Sequence, residues 1–277
     1  MSDDSCVAFL KWCLPRLGLR WPGYRRVHRL VCKRLNRRLA ELGLPDLSSY
    51  RELLEAAPAE WAGLEAICHI PISRFYRDRA VYDAIAGQLL PELAAMARGC
   101  GDKALRCWSA GCASGEEPYT LAMLWRFLLA PEWPALDLAG VATDVDETML
   151  RRASAACYQR SSLRDLPKQW VDRAFIASGS LLCLAPDFRR GVAFACQDIR
   201  ASMPEGMFHL ILCRNLVFTY FDEATQSRVL QAMRTRLIPG GFLVLGKHEK
   251  LPAATVGLIP ISPSLPVYRE NPVSAPT

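Results

Sequence analysis

The chain has 277 residues, 51% of them hydrophobic and 22% charged, with a net charge of +6. That is enough apolar material for a full core and a second small one, in proportions ordinary for a soluble protein. No apolar run reaches the ~20 residues of a membrane helix, and the opening Met-Ser-Asp-Asp-Ser has no secretory leader pattern, so a cytoplasmic chain without membrane insertion is expected.

In chain order, residues 1–88 read as helices. Over 24–42, Tyr24, Val27, Val31, Leu35, Leu39 and Leu42 form one apolar stripe, with Arg26, Arg29, Lys33 and Arg37 as a basic ridge opposite. Gly43 suits the position that closes this helix. Ser48 or Ser49 suits the cap of the next, Tyr50 to Ala57. Residues 78–98 carry Val81, Ile85, Leu89, Leu90 and Leu93 at helical spacing, with Pro91 set to kink or divide the helix. Residues 89–103 read as a linker.

From residue 104 to 277 the pattern becomes short apolar runs alternating with amphipathic stretches, as in a βαβ sheet. The strands expected are Leu105–Trp108, Leu138–Thr143, Val192–Ala195, Leu210–Cys213 and Phe242–Gly246, with helices at 119–130, 146–156 and 223–237. Leu181–Leu184 and Phe188–Val192 suggest a small β hairpin inside this domain. The C-terminus reads as a strand at Val267-Tyr268 followed by a frayed tail. Several of the eleven cysteines, Cys107, Cys196 and Cys213 among them, lie in apolar runs, and there is no CxxC pair. Reduced thiols and no metal site are expected.

The most informative stretch joins the first strand to its helix. Ser109 to Gly115 are small residues, and Gly111 and Gly115 can take positive φ, so the backbone can pack closely against a ligand. In a dinucleotide site the following helix N-terminus faces phosphate. Here Glu116-Glu117 stand in that place, which suits a cofactor with a cationic end, S-adenosylmethionine rather than NAD or ATP.

Polar residues end the other strands. Asp144 is placed to accept ribose hydroxyls or to cap a helix, and Asp146 serves equally as that cap. Asp198 follows the third strand, where it can accept from an adenine amino group, and Asn215 follows the fourth. Arg77, before the helix that enters the sheet domain, is either a surface charge or a two-pronged holder of a carboxylate.

Taken in order, Ser73-Arg74-Phe75-Tyr76-Arg77-Asp78, Trp108 to Tyr119, Ala142-Thr143-Asp144-Val145-Asp146, Cys213-Arg214-Asn215, Pro239-Gly240-Gly241-Phe242 and Gly246-Lys247-His248-Glu249 resemble the CheR-type chemotaxis methyltransferases. Those enzymes esterify glutamate side chains of chemoreceptors with S-adenosylmethionine. The resemblance implies a class I methyltransferase (Rossmann-like) α/β domain behind a small helical one. It implies a cofactor site of Ser73, Arg77, Gly111, Glu117, Asp144, Asp198, Ile199, Asn215 and Leu216, with Arg77 and Tyr220 at the transfer site. It further implies that Arg26, Arg29, Lys33 and Arg37 face the acidic methylation surface of receptor helices.

Two departures concern the acceptor. Pro71 stands where the family commonly has a polar residue, and one extra residue separates Asn215 from Tyr220-Phe221. A small molecule or another protein is therefore the alternative acceptor, and a thiol or phenol would need a base such as His248. The remaining alternatives are an inactive cofactor sensor or an RNA-binding protein. Nucleic acid is not expected, because no RNA-binding motif or aromatic run accompanies the basic ridge.

Overall fold

The computed structural model describes residues 2–253 and 255–271, and the frayed tail expected beyond them lies outside the described residues. The chain forms two compact units, one of residues 1–70 with 219–226 and one of 71–218 with 227–277. The sequence reading assigned residues 71–103 to the helical domain and a linker. They lie instead in the second unit, because Phe75, Val81, Ile85, Leu90 and Leu93 share a core cluster with Leu105, Leu210 and Phe242.

The first unit is built on helices Asp3–Cys13, His28–Leu42, Leu47–Ala56 and Glu60–Cys68. Leu10, Val31, Leu35, Tyr50, Leu54 and Leu64 form its buried interior. The helix expected over 24–42 is two pieces, Trp21–Tyr24 and His28–Leu42, joined by a turn over 25–27. Arg26 therefore sits in the turn, off the face that carries Arg29, Lys33 and Arg37. All four are exposed. Gly43 closes the helix at φ 66°. Asp46, not Ser48 or Ser49, caps the next one, accepting from the Ser49 N–H at 2.9 Å. Within the same unit Arg20 N–H donates to the Tyr220 carbonyl at 2.8 Å, and Leu19 bridges Phe221.

In the second unit Pro91 does not break its helix. Helix Arg79–Ala84 widens into a π turn over Ile85–Leu89 and continues as Leu90–Gly99. The wider turn accommodates a proline that has no N–H to give the preceding turn.

The strands are β1 (Ala104–Ala110), β2 (Asp137–Asp144), β3 (Cys157–Tyr158), β4 (Phe175–Ser178), β5 (Leu181–Leu184), β6 (Val192–Cys196), β7 (Phe208–Cys213), β8 (Leu237–Leu245), β9 (Leu258–Pro260) and β10 (Val267–Glu270). Seven of them make one sheet in the order β6-β2-β1-β7-β8-β10-β9. Pairing is parallel from β6 through β8, and β10 runs antiparallel to both β8 and β9. This is the Rossmann-like class I methyltransferase sheet expected. Every residue of β7 is buried, as a central parallel strand requires. The order reverses at β1, and an open α/β sheet binds ligands beyond the carboxyl ends of its strands at such a point.

A second sheet, β3-β5-β4, accounts for the expected insertion with a different partner. Leu181–Leu184 pairs with Phe175–Ser178 rather than with Phe188–Val192, because Pro186 starts a helical turn over Pro186–Arg189. Not all cysteines are reduced. Register places Cys157 opposite Cys183 in this sheet, where they form a disulfide, and Cys6 pairs with Cys32 across two helices of the first unit. Cys107, Cys196 and Cys213 are free thiols. No helix among the described residues is long and apolar enough to cross a membrane.

Candidate functional site

The loop after β1 is held against the end of β2. Gly111 and Cys112 donate their N–H groups to the Thr143 carbonyl at 2.8 and 3.0 Å, and Ala113 N–H donates to Asp144 Oδ2 at 2.8 Å. Gly111 has φ 75°, and a Cβ there would lie 2.5 Å from Leu216 Cδ2. Gly115, at φ 87°, opens helix Glu116–Leu124, and a Cβ there would lie 2.9 Å from the Ala153 Cβ. Both places admit only glycine without displacement. The expected alternatives for the two aspartates are thereby separated. Asp146 caps the helix Glu147–Ala155, accepting from Thr148 and Met149, while Asp144 accepts from Ala113 and Asp146 and pins the loop.

Glu116 and Glu117 occupy the first turn of their helix, where carboxylates are favoured by the helix dipole, but both are buried. Burial pushes both carboxyls above the ordinary carboxylate range. Hydrogen bonds from Ser114 and Ser73 partly offset this for Glu116, and the Arg214 charge with the Ser109 hydroxyl does so for Glu117. Ser109 Oγ donates to Glu117 Oε1 at 2.7 Å, and Arg214 Nη1 donates to Oε2 at 3.2 Å.

Arg214, just past β7, is the hub. It also donates to Tyr82 Oη at 3.1 Å, to Asp78 Oδ2 at 2.9 Å and to the Arg77 carbonyl at 2.7 Å, with its guanidinium over the Tyr82 ring. Burial alone would lower its pKa, but Tyr82, Glu117 and Asp78 outweigh that and keep it protonated. Asn215 follows in the left-handed region at φ 57°, its N–H donating to Glu249 Oε2 at 2.7 Å. The same Glu249 oxygen accepts from Gly246 N–H at 2.7 Å, which ties the end of β8 to the end of β7. Arg77 Nη2 donates to Asn215 Oδ1 at 3.3 Å and its Nη1 to the Ile72 carbonyl at 2.9 Å. Among the described residues, four of the five non-glycine residues with positive φ (Tyr76, Asp78, Ala113 and Asn215) belong to these segments. Such backbone persists only where the surroundings over-determine it.

The structure thus gathers Ser73, Arg77, Gly111, Glu117, Asp144, Asn215 and Leu216 on contiguous segments at the carboxyl ends of β1, β2 and β7. Ile199 is buried after β6. Asp198 is differently engaged, its carboxylate taken in a two-pronged pair by Arg200 at 2.9 and 2.6 Å. Burial alone would raise this carboxyl, but the Arg200 hydrogen bonds and charge hold it below its ordinary value. The neighbouring Gln197 Oε1 is buried without a hydrogen-bond partner. His248 is exposed. Tyr220 lies in the first unit, its ring centroid 5.1 Å from that of Tyr24. Arg214 and Glu249 stand in the motif segments without an expected role, and Gln197 is not among the residues expected at the site. Their only signal is a charge or an amide shortly after a strand.

The family model for the CheR methyltransferase, SAM binding domain, matches residues 72–262. The chain belongs to the CheR methyltransferase family. Its cofactor is S-adenosylmethionine, and the site above lies within the matched CheR region. A probable chemotaxis protein methyltransferase of Rhizobium etli is 31% identical over 229 residues, covering 80% of this chain and 84% of that protein. The chemotaxis protein methyltransferase of Escherichia coli is 32% identical over 231 residues, covering 79% of this chain and 76% of that one. An uncharacterized 104.1 kDa protein of Rhodobacter capsulatus is 35% identical over 223 residues, of which this CheR-family chain spans 23%.

Proposed function

We propose that the protein transfers the methyl group of S-adenosylmethionine to glutamate side-chain carboxylates of chemoreceptors, forming methyl esters. The observation that carries this reading is the family match over 72–262, supported by the chemotaxis methyltransferases among its relatives. The reading places the protein in the cytoplasm, with the exposed Arg26, Arg29, Lys33 and Arg37 docking acidic receptor helices.

The residues present fit the cofactor. The Gly111 turn adds no side chain of its own at the end of β1 and brings Leu216 close, Glu117 has acceptor capacity beyond Ser109 and Arg214, and the Gln197 Oε1 is a buried acceptor without a partner. Ser73, Gly111, Glu117, Asp144, Ile199, Asn215 and Leu216 would line the cofactor, with Gln197 rather than Asp198 accepting from the adenine amino group. When bound, S-adenosylmethionine supplies an electrophilic sulfonium methyl.

The rest falls to the protein. A glutamate acceptor is ionised at neutral pH, so no general base is required. Both hydrogen-bond partners of the Arg77 guanidinium are neutral oxygens, and it makes no direct ion pair while lending its field to the buried Glu117, which suits it to orient an acceptor carboxylate. Alignment of the reacting atoms can supply up to ~7–11 kcal/mol of the barrier. Arg77 must hold the acceptor without over-stabilising it, because the carboxylate charge is consumed on the way to the ester. To test the reading, the protein is incubated with methyl-labelled S-adenosylmethionine and membranes of its own host. Volatile methanol released by mild base from receptor-sized proteins supports it, and base-stable label or label confined to small molecules contradicts it.

A further inference from the structure

The segment from Ile72 to Arg77 runs beside the short 3-10 turn Arg160–Leu163, and Phe75 N–H joins them by donating to the Ser162 carbonyl at 3.1 Å. Between them opens a cleft of about 220 Å³ lined by Ser73, Arg74, Arg77, Ser161, Ser162 and Arg164. Three of these are cations. One carboxylate, Asp165, stands beside them, paired with Arg74 and 3.9 Å from Arg164 Nε. Three guanidinium groups face one paired carboxylate here, with the Ser161 and Ser162 hydroxyls beside them, while the Ser73 hydroxyl is engaged by the buried Glu116.

Guanidinium forks and hydroxyl donors around a small concavity are the chemistry of anion recognition. Arg77 forms one wall, so an anion here would sit within a side chain's length of the acceptor carboxylate assigned to Arg77. Ile72 completes the lining and is 55% exposed, offering an apolar contact to a polypeptide that a free anion would not use. Arg74 is already engaged by Asp165, whereas the Arg164 side chain is 61% exposed and only loosely paired.

We propose that this cleft recognises a second carboxylate of the acceptor polypeptide, one helical turn from the glutamate being esterified, with Arg164 as its main cation and Ser161 and Ser162 as hydroxyl donors. Residues three or four apart share a helix face, which brings both carboxylates to one side of a helical acceptor. The inference rests on the protein-glutamate reading and adds to it a preference for a local acidic pattern.

The test compares two versions of a cytoplasmic receptor fragment from the host, with Glu or Gln one turn from the methylated glutamate. Wild-type protein is expected to show a KM about tenfold lower for the Glu version. Arg164→Ala should erase that difference by raising KM while kcat changes little, and Arg164→Lys should restore part of it. Arg160→Ala, on the same turn but outside the cleft lining, should keep the full preference. Calorimetric affinity for S-adenosylmethionine serves as the check that each variant is folded. An Arg164→Ala protein that binds cofactor and keeps the full preference overturns the proposal. So does inhibition by inorganic phosphate that Arg164→Ala relieves while the two fragments remain equivalent, since the cleft would then take a free anion. If wild-type protein esterifies neither fragment nor the intact receptor, the protein-glutamate reading itself falls.

Discussion

Arg214 donates to Glu117 at 3.2 Å, and both side chains are withdrawn from solvent in the middle of the site. The pair links the end of β7 to the first turn of the helix after β1, and through Asp78 and the Arg77 carbonyl it reaches the segment that carries Arg77. A buried pair adds little net stability compared with an apolar replacement, but removing one partner strands the other. Arg214→Ala should therefore lower the unfolding free energy by about 3 kcal/mol. The double variant Arg214→Met with Glu117→Gln should lose clearly less. Urea unfolding of the set measures this, and equal losses would mean that the two charges are not coupled.

The same burial fixes the sign of a pH effect. Glu117 has its folded pKa above the ordinary 4.5, so the folded state binds more protons there than the unfolded one. Its contribution is fully present below that ordinary value and is lost as pH rises through the folded pKa. Glu60 behaves oppositely. The Arg38 hydrogen bonds hold it below 4.5, so its contribution is present above that value and is lost as pH falls through the folded pKa. Thermal unfolding across the carboxylate range should show the difference between Glu117→Gln and wild type moving in the variant's favour as pH rises. For Glu60→Gln it should move in the variant's favour as pH falls.

Gly111 combines a left-handed backbone with a close approach to Leu216. Gly111→Ala should cost about 2 kcal/mol from backbone conformation and displacement of Leu216. Because both residues line the proposed cofactor site, affinity for S-adenosylmethionine should fall together with stability. Calorimetric titration and thermal unfolding check the two effects. Unchanged affinity would remove Gly111 from the site.

Arg77 and Asp144 should separate transfer from binding. Asp144→Ala removes the acceptor for the Ala113 N–H and loosens the loop, so cofactor Kd should rise about tenfold or more. Arg77→Ala should leave Kd nearly unchanged and lower the transfer rate about 100-fold, the scale of lost orientation. Equal loss of cofactor affinity in the two variants would contradict the roles assigned.

Much of this was legible in the sequence because local signals governed it. Fully buried parallel strands read as short apolar runs, as β7 does, and the small-residue loop between β1 and its helix declared both glycines. What escaped depended on contacts between distant segments. Asn215 and Glu249 are bonded across 34 positions, and Arg214 and Glu117 across 97, so nothing near either residue announces the partner. Asp198 read as an adenine acceptor because it ends a strand, yet Arg200 two positions later takes its carboxylate. The helix through Pro91 survived because a π turn absorbed the missing donor, which spacing alone does not reveal.

The most direct measurement of the central claim is mass-spectrometric mapping of methyl groups on receptors from the host, with and without this protein and S-adenosylmethionine. The account predicts methylation on glutamate side chains of the cytoplasmic helices, present only with active protein, reversed by mild base and strongly reduced by Arg77→Ala. Methyl groups found instead on cysteine, lysine or small molecules, or on receptors treated with the Arg77→Ala protein at the wild-type level, would contradict it.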